Sequence, residues 1–479
     1  MKKVAIIILT CFVSFLVSQN PPDIVWTQNY EVGFESAAKT LLKTPDGGYV
    51  ILTGGSDSSF LDQATLIKLD SNGSEEWRQA YGGAYETNVS DVILMNDENY
   101  LILRNSDTDN NGDLEAILTK VDADGNVYWE QFYGIADDIK MTDLQQTNDG
   151  GFILCGTQND LSFLLKLDEN GNEIWNHPYF FYDAFSIAKS IIQTADQNYL
   201  VVGYKENEYG FYYSYIMKVD ADGYYQWSND YSSSSILQNL EDVVAVEDGC
   251  FIAVGAKDNS SNDTLDGWIK KFNDNGDVLW DVTIGGENFE RFRKIKYTDN
   301  GYYLLGDIEY YNPGLSRDIW TVKVDYEGAI EWEMIYDECN YDIGNDLMIS
   351  NDGFAFLFTA DWNGIGNVIW LVMCEPVTGI EYSILSHEIT KMTNHPNPFN
   401  PSTSVDFSIH YNSNVELVIF NIKGQKIKTL VQNEFAKGSH SIIWDGDDEN
   451  NKPVSSGIYF YKLYLNGKTE AVKKCLLLK

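Results

Sequence analysis

Asp107, Asp109 and Asn111 alternate along the stretch SDTDNNGD, ahead of Gly112 and Asp113. Oxygen-bearing side chains at alternate positions before a glycine are how a loop turns several ligands onto one calcium ion. An EF-hand loop closes on a bidentate Glu, and Leu118 stands at that position here. A comparable stretch elsewhere, KDNSSNDTLDG, is a plain polar loop, so the hairpin-loop reading is favoured and calcium is the one cofactor left open. The five histidines, His177, His387, His395, His410 and His440, are scattered, and none has a His partner at ligand spacing. Cys155 and Cys250 sit in apolar runs that bury single thiols, while Cys339, Cys374 and Cys475 show no CxxC or other ligand spacing. The chain lacks HExxH, GxSxG and GxxxxGKS/T, so hydrolytic zinc, serine-nucleophile and phosphate-loop chemistry have no motif. With 72 acidic residues, some carboxylates must lie close together, and proximity alone identifies no glycosidase pair. The densest aromatic stretch holds Tyr204, Tyr209, Phe211, Tyr212, Tyr213 and Tyr215, preceded by Tyr179, Phe180, Phe181 and Tyr182. Exposed rings stack on sugars or apolar side chains; strands also favour Tyr and Phe, which is the simpler account.

The elements that carry these residues repeat. Trp77, Trp129, Trp175, Trp227, Trp280 and Trp332 recur at steps of 52, 46, 52, 53 and 52 residues, and Trp26 precedes the first by 51. Tyr49, Tyr100, Phe152, Tyr199, Phe251, Tyr302 and Phe354 keep the same step in segments such as DGGYVIL and DNGYYLLG. Between these landmarks an apolar run enters a DxxG or NxxG turn, as in LIKLDSNG, LTKVDADG and LLKLDENG. Glycine in such a turn accepts the left-handed conformation that joins two twisted strands. Each copy therefore predicts about four short antiparallel strands, a sheet too small to bury both faces alone and in need of neighbours. Seven such copies predict a seven-bladed β-propeller, with each Trp an apolar plug between blades. Trp26, in IVWTQNY, is placed as the outer strand of the last blade, closing the ring; an eight-bladed or open array is the alternative.

Composition agrees. The 479 residues are 44% hydrophobic and 14% aromatic, ample for large cores. Thirty-three basic against 72 acidic residues give a net charge of −39, which repels phosphate backbones and excludes nucleic acid as a natural partner. Lys2 and Lys3 followed by the apolar run Val4 to Val17 predict a secretory signal over residues 1–18. No second run of that kind follows, so no transmembrane segment is expected in the mature chain.

Near residue 390 the repeat stops and Pro396, Pro398 and Pro401 cluster. From Lys391 onward there are 11 Lys and 8 acidic residues, a net +3, which leaves −44 on residues 19–390. SVDFSIH, NVELVIFNI, HSIIWDG and GIYFYKLYL read as short strands of an immunoglobulin-like sandwich over residues 391–479. This tail resembles the C-terminal sorting domain of type IX secretion cargo, and also the immunoglobulin-like domain of flagellar hook-capping proteins. The resemblance is carried by Pro396, Asn397, Pro398 and Phe399 of NHPNPFNPST, by Gly424 of the GQ turn, and by Trp444, Asp445 and Gly446. Gly457 and Tyr459 of SSGIYFY and the basic end Lys473, Lys474 and Lys479 complete it. It implies type IX machinery as a partner and delivery to the outer-membrane surface or medium; an accessory sandwich without sorting function is the plainer alternative. The repeats are also similar to quinoprotein-like propellers, whose glycine-to-Trp spacing of four is kept by Gly125 and Trp129, although no two cysteines here are adjacent. The expectation is thus an all-β chain, a seven-bladed β-propeller followed by an immunoglobulin-like β-sandwich, acting as a secreted or surface module that binds glycan or protein. A polysaccharide hydrolase or lyase with carboxylates around its channel, and a structural envelope component, are the competing expectations.

Overall fold

The computed structural model describes residues 21–478 except 57–61, 85, 135–136, 182–184, 207–210, 232–237, 247–248, 260–263, 311–315, 340, 351–352, 362–366, 376–391, 398, 410–412, 422–424, 437, 451 and 466–467. The proposed signal at 1–18 and the boundary at 390 lie outside the described residues. The chain forms two compact units, Met1–Leu385 and Ser386–Lys479. Both are built from antiparallel strands, and no helix among the described residues is long and apolar enough to cross a membrane.

The first unit is β-propeller-like. Its described strands form seven four-stranded sheets, six of them consecutive meanders. The first sheet runs through Phe34–Lys43, Tyr49–Ser56, Asp62–Leu69 and Glu75–Ala84. The next five repeat this order over 86–133, 139–179, 185–231, 238–284 and 289–336. The seventh takes Asp342–Ser350, Gly353–Asp361 and Asn367–Cys374 from its own repeat, and its fourth strand, Ile24–Tyr30, comes from the start of the chain. First strands of successive sheets are neighbours throughout, and Asp342–Ser350 also neighbours Phe34–Lys43. Second and third strands are buried on both faces, as the runs YVILTGGS and DQATLIKL suggest, because each sheet is covered on both sides.

The repeated landmarks meet across sheets rather than within them. Trp77 of the first sheet lies on Gly125 in the turn of the second, where a Cβ would come within 3.0 Å of the indole, and Gly125 has φ +82°. The Tyr81 hydroxyl donates to the Gly125 carbonyl at 2.8 Å. Trp26 and Tyr30 make the same contacts with Gly73. Only Trp332 of this series is wholly buried; the others are half-buried, so the expected plugs are mostly lids over the outer turns. In the first four copies the Asp before the aromatic landmark pairs with the Lys of the third strand: Lys68 with Asp46 at 2.8 Å, Lys120 with Asp97 at 2.7 Å, Lys166 with Asp149 at 3.0 Å and Lys218 with Asp196 at 2.8 Å. In the sixth, Lys323 pairs with Glu331.

The second unit is a sandwich. Met392–His395, Thr403–Ile409 and Gly438–Trp444 form one sheet. Lys426–Phe435, Ser413–Asn421, Gly457–Leu465 and Lys468–Leu477 form the other. Val405, Phe407, Leu417, Ile419, Trp444, Tyr461, Leu463 and Leu477 fill the space between them.

Candidate functional sites

In all seven sheets the first strand carries a β-bulge at the same place, so one residue is squeezed out of the ladder. The extra residues are Lys39, Ser90, Thr142, Lys189, Glu241, Arg293 and Asn345, and the next positions are Thr40, Asp91, Asp143, Ser190, Asp242, Lys294 and Asp346. The aspartates tie neighbouring first strands together: Asp346 accepts the Leu41 N–H at 2.8 Å, Asp143 that of Ile191 at 2.8 Å and Asp242 that of Ile295 at 3.0 Å. The hydroxyls of Thr40 and Ser190 donate to Asp91 at 2.8 Å and Asp242 at 3.1 Å. Burial, then the carboxylate of Asp143, pushes the Asp91 carboxyl up to about 7. Asp242, against the cost of burial and with help from Asp346, Asp143 and Asp91, holds Lys294 protonated well above the usual lysine range. These carboxylates resemble a catalytic cluster in number, but their lone pairs are engaged by backbone N–H groups and hydroxyls across the sheet boundaries.

A pocket of about 350 Å³ opens beside this layer, lined by Phe185, Tyr204, Glu206, Tyr212 and Asn239. Strand register builds it. Phe185 lies opposite Glu206, and Glu206 opposite Tyr212, so three strands place these side chains in one row on one face. Tyr204, two residues before Glu206, returns to that face, and Asn239 is supplied by the first strand of the fifth sheet. The rings of Phe185 and Tyr204 are 6.5 Å apart and those of Tyr204 and Tyr212 5.7 Å. A hydrogen bond to Glu206, then burial, raises the Tyr212 hydroxyl above its ordinary range. Burial is the main cause of a similar rise for Tyr204.

Of the aromatic stretch singled out above, Tyr204 and Tyr212 line this pocket. Phe181 and Tyr213 surround Lys205, with Nζ 4.7 and 5.2 Å from the ring centroids, on the opposite face. Tyr215 and Tyr179 are core residues, Phe180 and Phe211 are exposed, and Tyr182 and Tyr209 lie outside the described residues. Sequence reasoning missed Phe185, Glu206 and Asn239; the two-residue step from Tyr204 to Glu206 was the available signal.

The Asp107 loop does not gather its oxygens. Asp107 is buried and accepts the N–H groups of Asn111 and Gly112 at 3.1 Å each, Asn111 Oδ1 accepts the Asp113 N–H at 2.6 Å, and Asp109 accepts from the Asn111 amide at 3.4 Å. Among the described residues, no three His, Cys, Asp or Glu side chains are close enough to hold a metal ion.

In the second unit, residues nearly 80 positions apart converge. The Asn397 Oδ1 accepts the Leu476 N–H at 2.9 Å and its amide donates to the Lys474 carbonyl at 3.3 Å. The Phe399 N–H donates to the Leu476 carbonyl at 3.0 Å, and the Phe399 carbonyl accepts the Leu478 N–H at 2.9 Å. The Phe399 ring stands 5.3 Å from Trp444, and Trp444 5.2 Å from Tyr459. Gly446, at φ +65°, passes so close to Pro401 that a Cβ would lie 2.9 Å from its carbonyl oxygen. Gly457 pairs with Leu477, Pro396 accepts from the Thr403 hydroxyl at 2.9 Å, and Asp445, Lys473 and Lys474 are exposed. Pro398, Gly424 and Lys479 lie outside the described residues.

Residues 400–468 match the FlgD Ig-like domain. Trp444, Gly446 and Tyr459 lie within the matched segment, while Asn397, Phe399 and the last strand's Lys473 and Lys474 flank it. No curated protein matches the chain in sequence. Among solved structures, it is similar to PorZ, a surface component of the type IX secretion system of Porphyromonas gingivalis, at 12% identity and TM-score 0.31, covering 92% of this chain and 70% of that one. It is also similar to Drosophila Plexin A in complex with Semaphorin 1b, at 8% identity and TM-score 0.44, covering 74% and 88%. A puromycin hydrolase is similar at 12% identity and TM-score 0.40, covering 71% and 52%.

Proposed function

We propose that the chain is a secreted or surface-displayed binding module: a closed seven-bladed propeller that holds a glycan, exported by a C-terminal sorting domain. The observation that carries binding is the pocket, whose ring faces from Phe185, Tyr204 and Tyr212 stand beside the hydrogen-bonding groups of Glu206 and Asn239. Aromatic faces cover the apolar faces of sugars, and a few polar groups set orientation. Closure of the propeller is supported by the pairing of Ile24–Tyr30 with Asn367–Cys374 and by the contacts of Trp26 and Tyr30 with Gly73. Sorting is supported by the joining of the PNPF segment to the basic last strand. The ring carboxylates favour binding over hydrolysis, because they are engaged in holding sheets together.

A glycan-binding screen of the mature chain, run beside hydrolysis assays on the same polysaccharides, tests this reading. Saturable binding without turnover is expected, with Tyr204→Ala weakening it about 3- to 10-fold, as the loss of one stacking face implies. Turnover of intact polymer, or saturable binding to a protein and to no glycan, would overturn it.

A further inference from the structure

The pocket has an uneven hydrogen-bonding inventory. Asn239 Oδ1 is buried and finds no donor among the described residues, while its amide is already given to Glu241 at 2.5 Å. Glu206 brings a carboxylate that only accepts when ionised, and the hydrogen bond between Tyr212 and Glu206 occupies the Tyr212 hydroxyl. The remaining surface is the π faces of Phe185, Tyr204 and Tyr212. A carboxylate and three rings suit a ligand that brings donors and positive charge, because the ring quadrupole attracts cations and Glu206 pairs with them. Two lysines lie nearby. Lys189 is 5.8 Å from the Tyr204 ring centroid, and its charge is matched by Glu241 at 3.0 Å. Lys205 points to the other face of its strand and pairs with Asp230 at 2.9 Å. The −44 carried by residues 19–390 also draws cations toward the unit.

We infer that the pocket recognises the ammonium group of an amino sugar, that is, a glycan whose hexosamine nitrogen is free and not acetylated. The inference rests on the glycan-binding reading above and narrows it. The ammonium lies against the Tyr204 and Tyr212 faces and donates to Glu206, while the pyranose ring covers Phe185.

Calorimetric titration of the full mature chain with three disaccharides tests it: glucosamine dimer, its N-acetylated form and cellobiose, near pH 6 and at about 0.15 M salt, where distant charges are screened. The expected result is that glucosamine dimer binds at least about tenfold more tightly than the other two, and that Glu206→Gln removes this preference while the fold, followed by circular dichroism, is kept. Equal affinity for all three overturns the inference and leaves the glycan reading standing. Failure of all three, with another glycan bound, overturns it as well; failure of every glycan removes the underlying reading. Preference for the amine that persists unchanged in both Glu206→Gln and Tyr204→Ala would mark diffuse attraction to an acidic protein and also overturn it. If Tyr204→Ala does not fold, the near-isosteric Glu206→Gln decides alone.

Discussion

Asp91 is the residue whose protonation reports on the polar layer between sheets. Its carboxyl is raised to about 7, by burial first and by Asp143 second, against an ordinary value near 3.9. The folded chain thus keeps a proton that the unfolded chain has already released between about pH 4 and 7. Stability supplied by that proton is present at the acid end of this window and declines as pH rises through it. Asp91→Asn keeps an oxygen to accept from the Thr40 hydroxyl and carries no charge. Melting temperatures from pH 5 to 8 should show wild type losing ground to Asp91→Asn as pH rises, with the two converging toward pH 5. Parallel curves would mean that Asp91 titrates normally.

Strand-level contacts give two further expectations. Gly125 needs both its left-handed φ and the space under Trp77, so Gly125→Ala should cost about 2–4 kcal/mol, the sum of backbone strain and overpacking. Trp332 is wholly buried and Trp26 half-buried. Denaturant unfolding should therefore place Trp332→Ala at about 3–5 kcal/mol and Trp26→Ala at about 2–3 kcal/mol. Deleting residues 19–33 should lower the melting temperature well beyond Trp26→Ala, since it also removes the strand paired with Asn367–Cys374; an unchanged melting temperature would rule out the closed propeller. In the sandwich, Asn397→Ala removes the acceptor of the Leu476 N–H, and hydrogen exchange at Leu476 should quicken while exchange at Leu417 in the core stays slow.

For the whole molecule, the two units differ in charge as well as in build, −44 over residues 19–390 against +3 beyond them. On the sorting reading proposed above, the basic unit is a handle that export machinery grips without competition from the acidic one. In a host with type IX secretion, removing residues 391–479 should leave a folded propeller in the periplasm, and a reporter fused to those residues should reach the cell surface. Fractionation and surface protease accessibility check both. Appearance of the truncated protein outside the cell would make the tail an accessory domain.

The all-β class and the seven repeated units were legible in the sequence because Trp, DGGY and DxxG report local geometry: a turn, a strand entry, an apolar run. That the Asp before the aromatic landmark pairs with the third-strand Lys in the first four copies was hidden, although both residues are plain in those copies, since pairing depends on how the strands fold back. The bulge that sets Asp91, Asp143, Asp242 and Asp346 at the same place on their first strands has no compositional mark, because a bulge is a property of two strands together. The PNPF and KKCLLLK segments were recognisable separately, and their mutual hydrogen bonds needed the folded sandwich. The pocket lies furthest from the sequence: Phe185, Glu206 and Tyr212 share a face only through register across three strands, and Asn239 arrives from another sheet. Local chemistry determined the units, and long-range register decided which side chains meet.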